Sequence, residues 1–279
     1  MVVRLSLLVF TVCIFLSAVG SAQTENIELK KRPLIIGETI EFRSIVLDEN
    51  RFINVYLPHA YSADSAKSYP VIYLLDGSID EDFIHISGLV QFGSFSWINL
   101  IEETIVVGIA NVDRRRDFTF PTSDKTLKSD FPTSGGSAKF IRFLVEELQP
   151  LMNREYKTNG KQTLIGQSLG GLLASEILYT RPNLFANYII VSPSLWWDNE
   201  SLLKRNLPAL PENMTVYIAG GKEGAIMERV ASELFEKLKS SDPDAMKIHY
   251  EYFEKFEHGD ILHQAVYNAF ETIFKETPK

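Results

Sequence analysis

Gln162-Thr163-Leu164-Ile165-Gly166-Gln167-Ser168-Leu169-Gly170-Gly171 is the stretch on which the fold reading turns. Residues 162–165 have the length and apolar character of a short strand. A helical pattern starts at Leu169, runs to Tyr179 and stops near Arg181-Pro182. Between them Gly166–Gly170 fits G-x-S-x-G. A strand turning sharply into a helix lifts its middle serine above the sheet edge, and Gly166 and Gly170 leave room for that backbone. The helix N-terminus adds free N–H groups and positive potential beside Ser168. A Gly-rich turn with a helix-capping serine also explains the pentapeptide, but not the strand before it and the helix after it. Ser168 is therefore the candidate nucleophile.

Outward from this point strands and helices alternate. Short apolar runs at 71–75 (VIYLL) and 104–110 (TIVVGIA) read as strands covered on both faces. Further strands are expected at 188–191, 215–219 and 247–253, and helices at 138–152, 226–239 and 261–274. Earlier, 38–47 and 52–57 flank Asp48-Glu49-Asn50 and read as an antiparallel pair. The alternation implies a mostly parallel sheet with helices on both faces in one α/β domain, residues 23–279. Residues 78–100 and 111–136 are too long for plain connections and are expected to form functional loops.

The first 22 residues, MVVRLSLLVFTVCIFLSAVGSA, stand apart. Arg4 precedes an apolar run too short for a membrane span, and Gly20-Ser21-Ala22 closes it, the layout of a secretory signal peptide cleaved after Ala22. The expected mature chain is exported, periplasmic or secreted, with no stable membrane insertion. Cys13 is the single cysteine and falls in this leader, so the mature chain has no disulfide, thiolate metal site or cysteine nucleophile. The composition is 45% hydrophobic and 23% charged, which excludes a disordered or collagen-like chain. A net charge of −8 gives no basic face for nucleic acid.

A nucleophilic serine needs a base, and the base an orienting acid. Around such an elbow the acid and then the histidine follow the serine along the chain. Of five histidines, His59 and His85 precede Ser168. His249 lies in a strand pattern and His263 in the last helix pattern. His258 follows a strand and precedes Gly259, and the ends of strands are where a base belongs. Glu223, on the Gly220–Gly224 loop after strand 215–219, is the favoured acid, with Asp198, Glu257 and Asp260 as competitors. A tetrahedral intermediate needs two N–H donors. The Leu169 amide is expected to be one. Asp76-Gly77-Ser78, where Gly77 permits a sharp turn, is expected to supply the Ser78 amide as the other. Asp76 reads equally as a substrate contact or a turn cap. In Arg114-Arg115-Arg116-Asp117-Phe118 one arginine is expected to be held inward against Asp117. In Ser192-Pro193-Ser194-Leu195-Trp196-Trp197, cleft lining and core packing are equally open for the adjacent tryptophans.

These pieces resemble one family. Tyr73–Gly77, Val107–Ile109 with Arg114–Thr119, Gly166–Gly171, Ser192–Trp197, Gly220–Glu223 and His258-Gly259, spread over about residues 40–275, are similar in order and spacing to the esterase family of α/β-hydrolases. It contains siderophore esterases, esterase D-like enzymes, feruloyl and acetyl-xylan esterases, and mycolyltransferases. The resemblance is strongest to the exported siderophore esterases. It implies the α/β-hydrolase fold, with Ser168 as nucleophile, Glu223 as acid and His258 as base. It also implies oxyanion donors at Leu169 and the Asp76–Ser78 turn, and substrate contacts from Trp196 and from Arg114 or Arg116 of the arginine loop. The reading as a serine hydrolase needs no metal or organic cofactor. The expected partner is a small-molecule ester. Acyl transfer by the same residues and a non-catalytic binding protein on the same scaffold are the alternatives.

Overall fold

The computed structural model describes residues 29–241 and 247–275. The expected leader lies outside them. The described residues from Ile35 onward form one compact unit, and residues 29–34 fall outside it.

The unit is built on an eight-stranded sheet: β1 Glu38–Ser44, β2 Glu49–Tyr56, β3 Tyr69–Leu74, β4 Ile105–Ile109, β5 Thr158–Gln167, β6 Asn187–Val191, β7 Thr215–Gly221 and β8 Lys247–Phe253. Their order across the sheet is β1-β2-β4-β3-β5-β6-β7-β8. The β1–β2 and β2–β4 pairs are antiparallel and all others parallel. Continuous apolar strands are explained by their two covered faces. Val71, Tyr73 and Leu75 join one core, while Ile72 and Leu74 join the other.

The helices are α1 Phe83–Gly93, α2 Arg114–Asp117, α3 Lys125–Asp130, α4 Ser137–Phe143, α5 Gln149–Glu155, α6 Leu169–Thr180, α7 Trp197–Glu200, α8 Ala225–Ser241 and α9 Ile261–Ile273. Phe140, Leu172 and Val230, from α4, α6 and α8, fill one core. Phe83, Ile86, Ile261 and Phe270, from α1 and α9, fill the other. Three expectations change. The loop expected at 78–100 contains α1, and that at 111–136 contains the short α2 and α3. The helix expected over 138–152 is interrupted by a wider π turn at Leu144–Leu148. Pro150, which has no N–H to donate, falls just beyond that turn.

Candidate active site

Because β3 to β8 run parallel within the central sheet, the chain segments that follow them emerge at one edge. Ser168 follows β5 and caps α6 with φ 59° and ψ −120°, a strained conformation for a residue with a side chain. A Cβ on Gly166 would lie 2.5 Å from the Gly170 carbonyl oxygen, so this turn closes only with glycine at 166. Leu169 is the first helical residue, where a backbone N–H has no intrahelical acceptor.

Glu223 lies in the loop after β7 and His258 in the loop after β8. Nδ1 of His258 is 2.5 Å from Oε2 of Glu223. The Glu223 side chain is only 3% exposed, and that of His258 45% exposed. Burial pushes the Glu223 carboxyl up, but hydrogen bonds from His258, Ser192 and the Gly221 amide outweigh it and hold the group below the usual carboxylate range. Ser168, His258 and Glu223 line one cavity of ≈ 540 Å³ with Ser194, Trp196 and Met227. Ser168 and His258 also line a second, of ≈ 410 Å³, with Asp76, Glu81 and Arg114. The Ser168 Oγ is 3.4 Å from the Ser194 Oγ.

The competing acids are placed differently. Asp198 accepts from the Thr122 hydroxyl at 2.7 Å and the Ser123 amide at 2.9 Å. Asp260 accepts from the Glu257 amide at 2.7 Å. Glu257 lines the larger cavity, but it is Glu223 that accepts the hydrogen bond of the His258 ring.

The turn expected to supply the second oxyanion donor is built differently from expectation. The sharp conformation falls on Asp76, at φ 55°, and not on Gly77. Gly77 is required instead for close approach, since a Cβ there would lie 2.3 Å from the Gly108 Cα. The Gly77 N–H donates to the Ile109 carbonyl at 3.0 Å. The Ser78 N–H donates to Oε2 of Glu81 at 3.1 Å. The Ser-x-x-Glu spacing lets the glutamate reach back to that amide, so neither N–H is free for an oxyanion in this arrangement.

The arginine ambiguity is resolved by geometry. Arg114 lines the smaller cavity and grips Asp76 through Nε at 2.6 Å and Nη2 at 2.9 Å. Asn111 also donates to Asp76, at 2.7 Å. The Asp76 carboxylate is thus held by protein donors and is neither a free substrate contact nor a simple turn cap. Arg116 is the arginine held against Asp117, as expected, with its guanidinium shared between Glu49 and Asp117 at 2.6–2.9 Å; it lines neither cavity, which overturns its reading as a substrate contact. Trp197 is fully buried, its indole N–H donating to the Phe120 carbonyl at 2.9 Å, while Trp196 is half-buried and lines the larger cavity. Ser192, Ser194, Glu81 and Asn111 were not picked out by sequence reasoning. Single polar residues in loops carry no periodic signal, and only Ser192-Pro193-Ser194 beside the tryptophans offered one. Among the described residues no group of His, Cys, Asp and Glu is arranged to hold a metal ion.

The sheet, the strained serine between β5 and α6, and the histidine and acid in later strand-end loops define an α/β-hydrolase. The family model described as Putative esterase matches residues 44–267, and the chain belongs to that family. It is 33% identical over 170 residues to the ferri-bacillibactin esterase BesA of Bacillus subtilis, a match covering 57% of this chain and 59% of that relative's length. The crystal structure of an IroE-like serine hydrolase from Shewanella oneidensis aligns with a TM-score of 0.76 at 27% identity, over 86% of this chain and 80% of that one. The BES protein from Bacillus cereus also gives 0.76, at 29% identity, over 89% and 99%. Among the described residues no helix is long and apolar enough to cross a membrane.

Proposed function

We propose that this protein is an exported serine esterase whose substrate is a siderophore-type or carbohydrate ester. Ser168 Oγ attacks the ester carbonyl after its side chain turns from Ser194 toward His258. His258 takes the proton through Nε2 and returns it to the leaving alcohol, and water then cleaves the acyl-serine by the same route. Glu223 holds the ring through Nδ1 and stabilises the imidazolium. The Leu169 amide binds the oxyanion. The Ser78 amide joins it once its bond to Glu81 opens. Arg114, in one cavity and already paired with Asp76, offers its remaining guanidinium N–H groups, and Trp196, in the other, offers a flat apolar face.

The observation that carries this reading is the His258–Glu223 hydrogen bond beside a strained serine in a shared cavity. The relative named as a ferri-bacillibactin esterase supports the siderophore substrate class.

The test is hydrolysis by the purified mature chain of a catecholate trilactone siderophore, feruloylated and acetylated sugars, and p-nitrophenyl acetate. Ser168→Ala is expected to lower turnover by roughly 10⁴–10⁶ without changing the melting temperature much. Retention of more than about a tenth of wild-type turnover would overturn the nucleophile assignment. Trp196→Ala is expected to impair the bulky esters and to spare p-nitrophenyl acetate, and equal loss on both would remove Trp196 from substrate binding.

A further inference from the structure

Ser192 ends in a conformation that its residue type disfavours, and its hydroxyl faces the acid beside His258. We propose that Ser192 is a positioning residue that locks the Glu223 carboxylate in register with His258. The inference rests on the reading of Ser168, His258 and Glu223 as the catalytic set.

Ser192 directly follows β6, is 1% exposed and has φ 46°. Its N–H donates to the Ala219 carbonyl at 2.8 Å, tying it to β7, the strand that leads into Glu223. Its hydroxyl donates to Oε1 of Glu223, and the Gly221 N–H donates to that same oxygen at 3.0 Å. Oε2 is left to His258. A carboxylate held by one hydrogen bond can rotate about its own side-chain bonds. Two donors fixed to adjacent strands remove that freedom, so Oε2 keeps facing Nδ1–H and the imidazole ring is held in one orientation.

The residue type is the telling point. Glycine would adopt a positive φ here without strain, whereas serine does so at a cost. What serine has and glycine lacks is the hydroxyl on Glu223. The turn is also seated on the serine's own helix. Pro193 packs so closely on Gly171 that a Cβ there would come 2.9 Å from the Pro193 Cα, and the Ser194 N–H donates to the Ser168 carbonyl at 3.0 Å. One turn thus spans from the nucleophile to the acid.

Ser192→Ala and Ser192→Gly, each made in the wild-type and Glu223→Ala backgrounds, test the proposal. The readouts are kcat and KM on p-nitrophenyl acetate, labelling of Ser168 by a fluorophosphonate, and melting temperature. A hydrogen bond to a charged group sets the scale, so kcat is expected to fall about 10- to 100-fold in both variants. KM should stay within about twofold, because Ser192 does not touch substrate. In Glu223→Ala neither substitution should cost more than about a further twofold, the signature of action through that carboxylate. The proposal is overturned if both variants keep kcat within about threefold of wild type. It is equally overturned if they lose as much in the Glu223→Ala background, or if Gly retains activity that Ala loses, which would make backbone strain the cause. Wild-type protein that takes no label at Ser168 would sink the underlying reading and the proposal together. Labelled wild type with unaffected Ser192 variants would sink the proposal alone.

Discussion

Glu176 shows what one side chain costs when it is carried inside the serine's helix. It lies in α6, is 6% exposed, and its Oε2 is buried without a hydrogen-bond partner. Burial raises its carboxyl above the usual range, and the Arg205 charge offsets this only in part. The folded state therefore binds this proton more tightly than the unfolded chain does. Stability from this group is fully present below the unfolded glutamate value of about 4.3, and is lost as pH rises through the higher folded value. Glu176→Gln removes the ionisation while keeping the shape. Its melting temperature is expected to exceed that of wild type near pH 8, and the gap should close near pH 4. A gap that widened on acidification would show that the carboxylate is held ionised in the fold. Glu223 has the opposite sign: its lowered value adds stability that is lost as pH falls.

At the scale of elements, the antiparallel β1–β2 edge is joined to the arginine loop by a buried ionic network. Arg51 of β2 and Asp117 of α2 are each 1% exposed and meet at 2.8 Å. Glu49 lies 3.0 Å from Arg51 and 2.6 Å from Arg116. Arg51 also lies over the rings of Phe140 and Phe143, at 5.3 and 5.5 Å. This network fixes the turn from which Arg114 reaches Asp76. Asp117→Ala leaves the Arg51 charge buried and short of a partner, and an expected loss of about 3–5 kcal/mol is measurable by urea unfolding. The same variant should weaken binding of an oxygen-rich ester, because the Arg114 turn loses its anchor. A loss below about 1 kcal/mol would mean that Glu49 alone neutralises Arg51.

At the scale of the whole molecule, parallel strands gather the site. Asp76 and Arg114 follow β3 and β4, Ser168 follows β5, Glu223 and His258 follow β7 and β8, and all lie at the carboxyl ends of their strands. The sheet's two faces are closed by separate cores, so the edge loops can carry strain without exposing either. The proposed export predicts loss of the leader, and N-terminal sequencing of native material should find Gln23 first. Recovery of Met1 on the isolated protein would defeat that part of the proposal.

The sequence by itself determined the alternation of strands and helices and the elbow at Ser168. It also narrowed the candidate base to His258 and favoured Glu223 as the candidate acid. These features are local: an apolar run, a Gly-x-Ser-x-Gly turn, and a scarce residue type left at one strand end. It missed α1 because Phe83–Gly93 follows a turn with no sharp start signal and is apolar on more than one face. It could not choose between Arg114 and Arg116. Adjacent residues point in different directions, and only tertiary packing set Asp76 beside one, and Glu49 with Asp117 beside the other. Nor could it foresee that Ser78 would give its amide to Glu81, or that Ser192 would reach Glu223 across two strands. Those pairings join residues whose distance depends on strand register and on the twist of the sheet. Chain order alone carries neither.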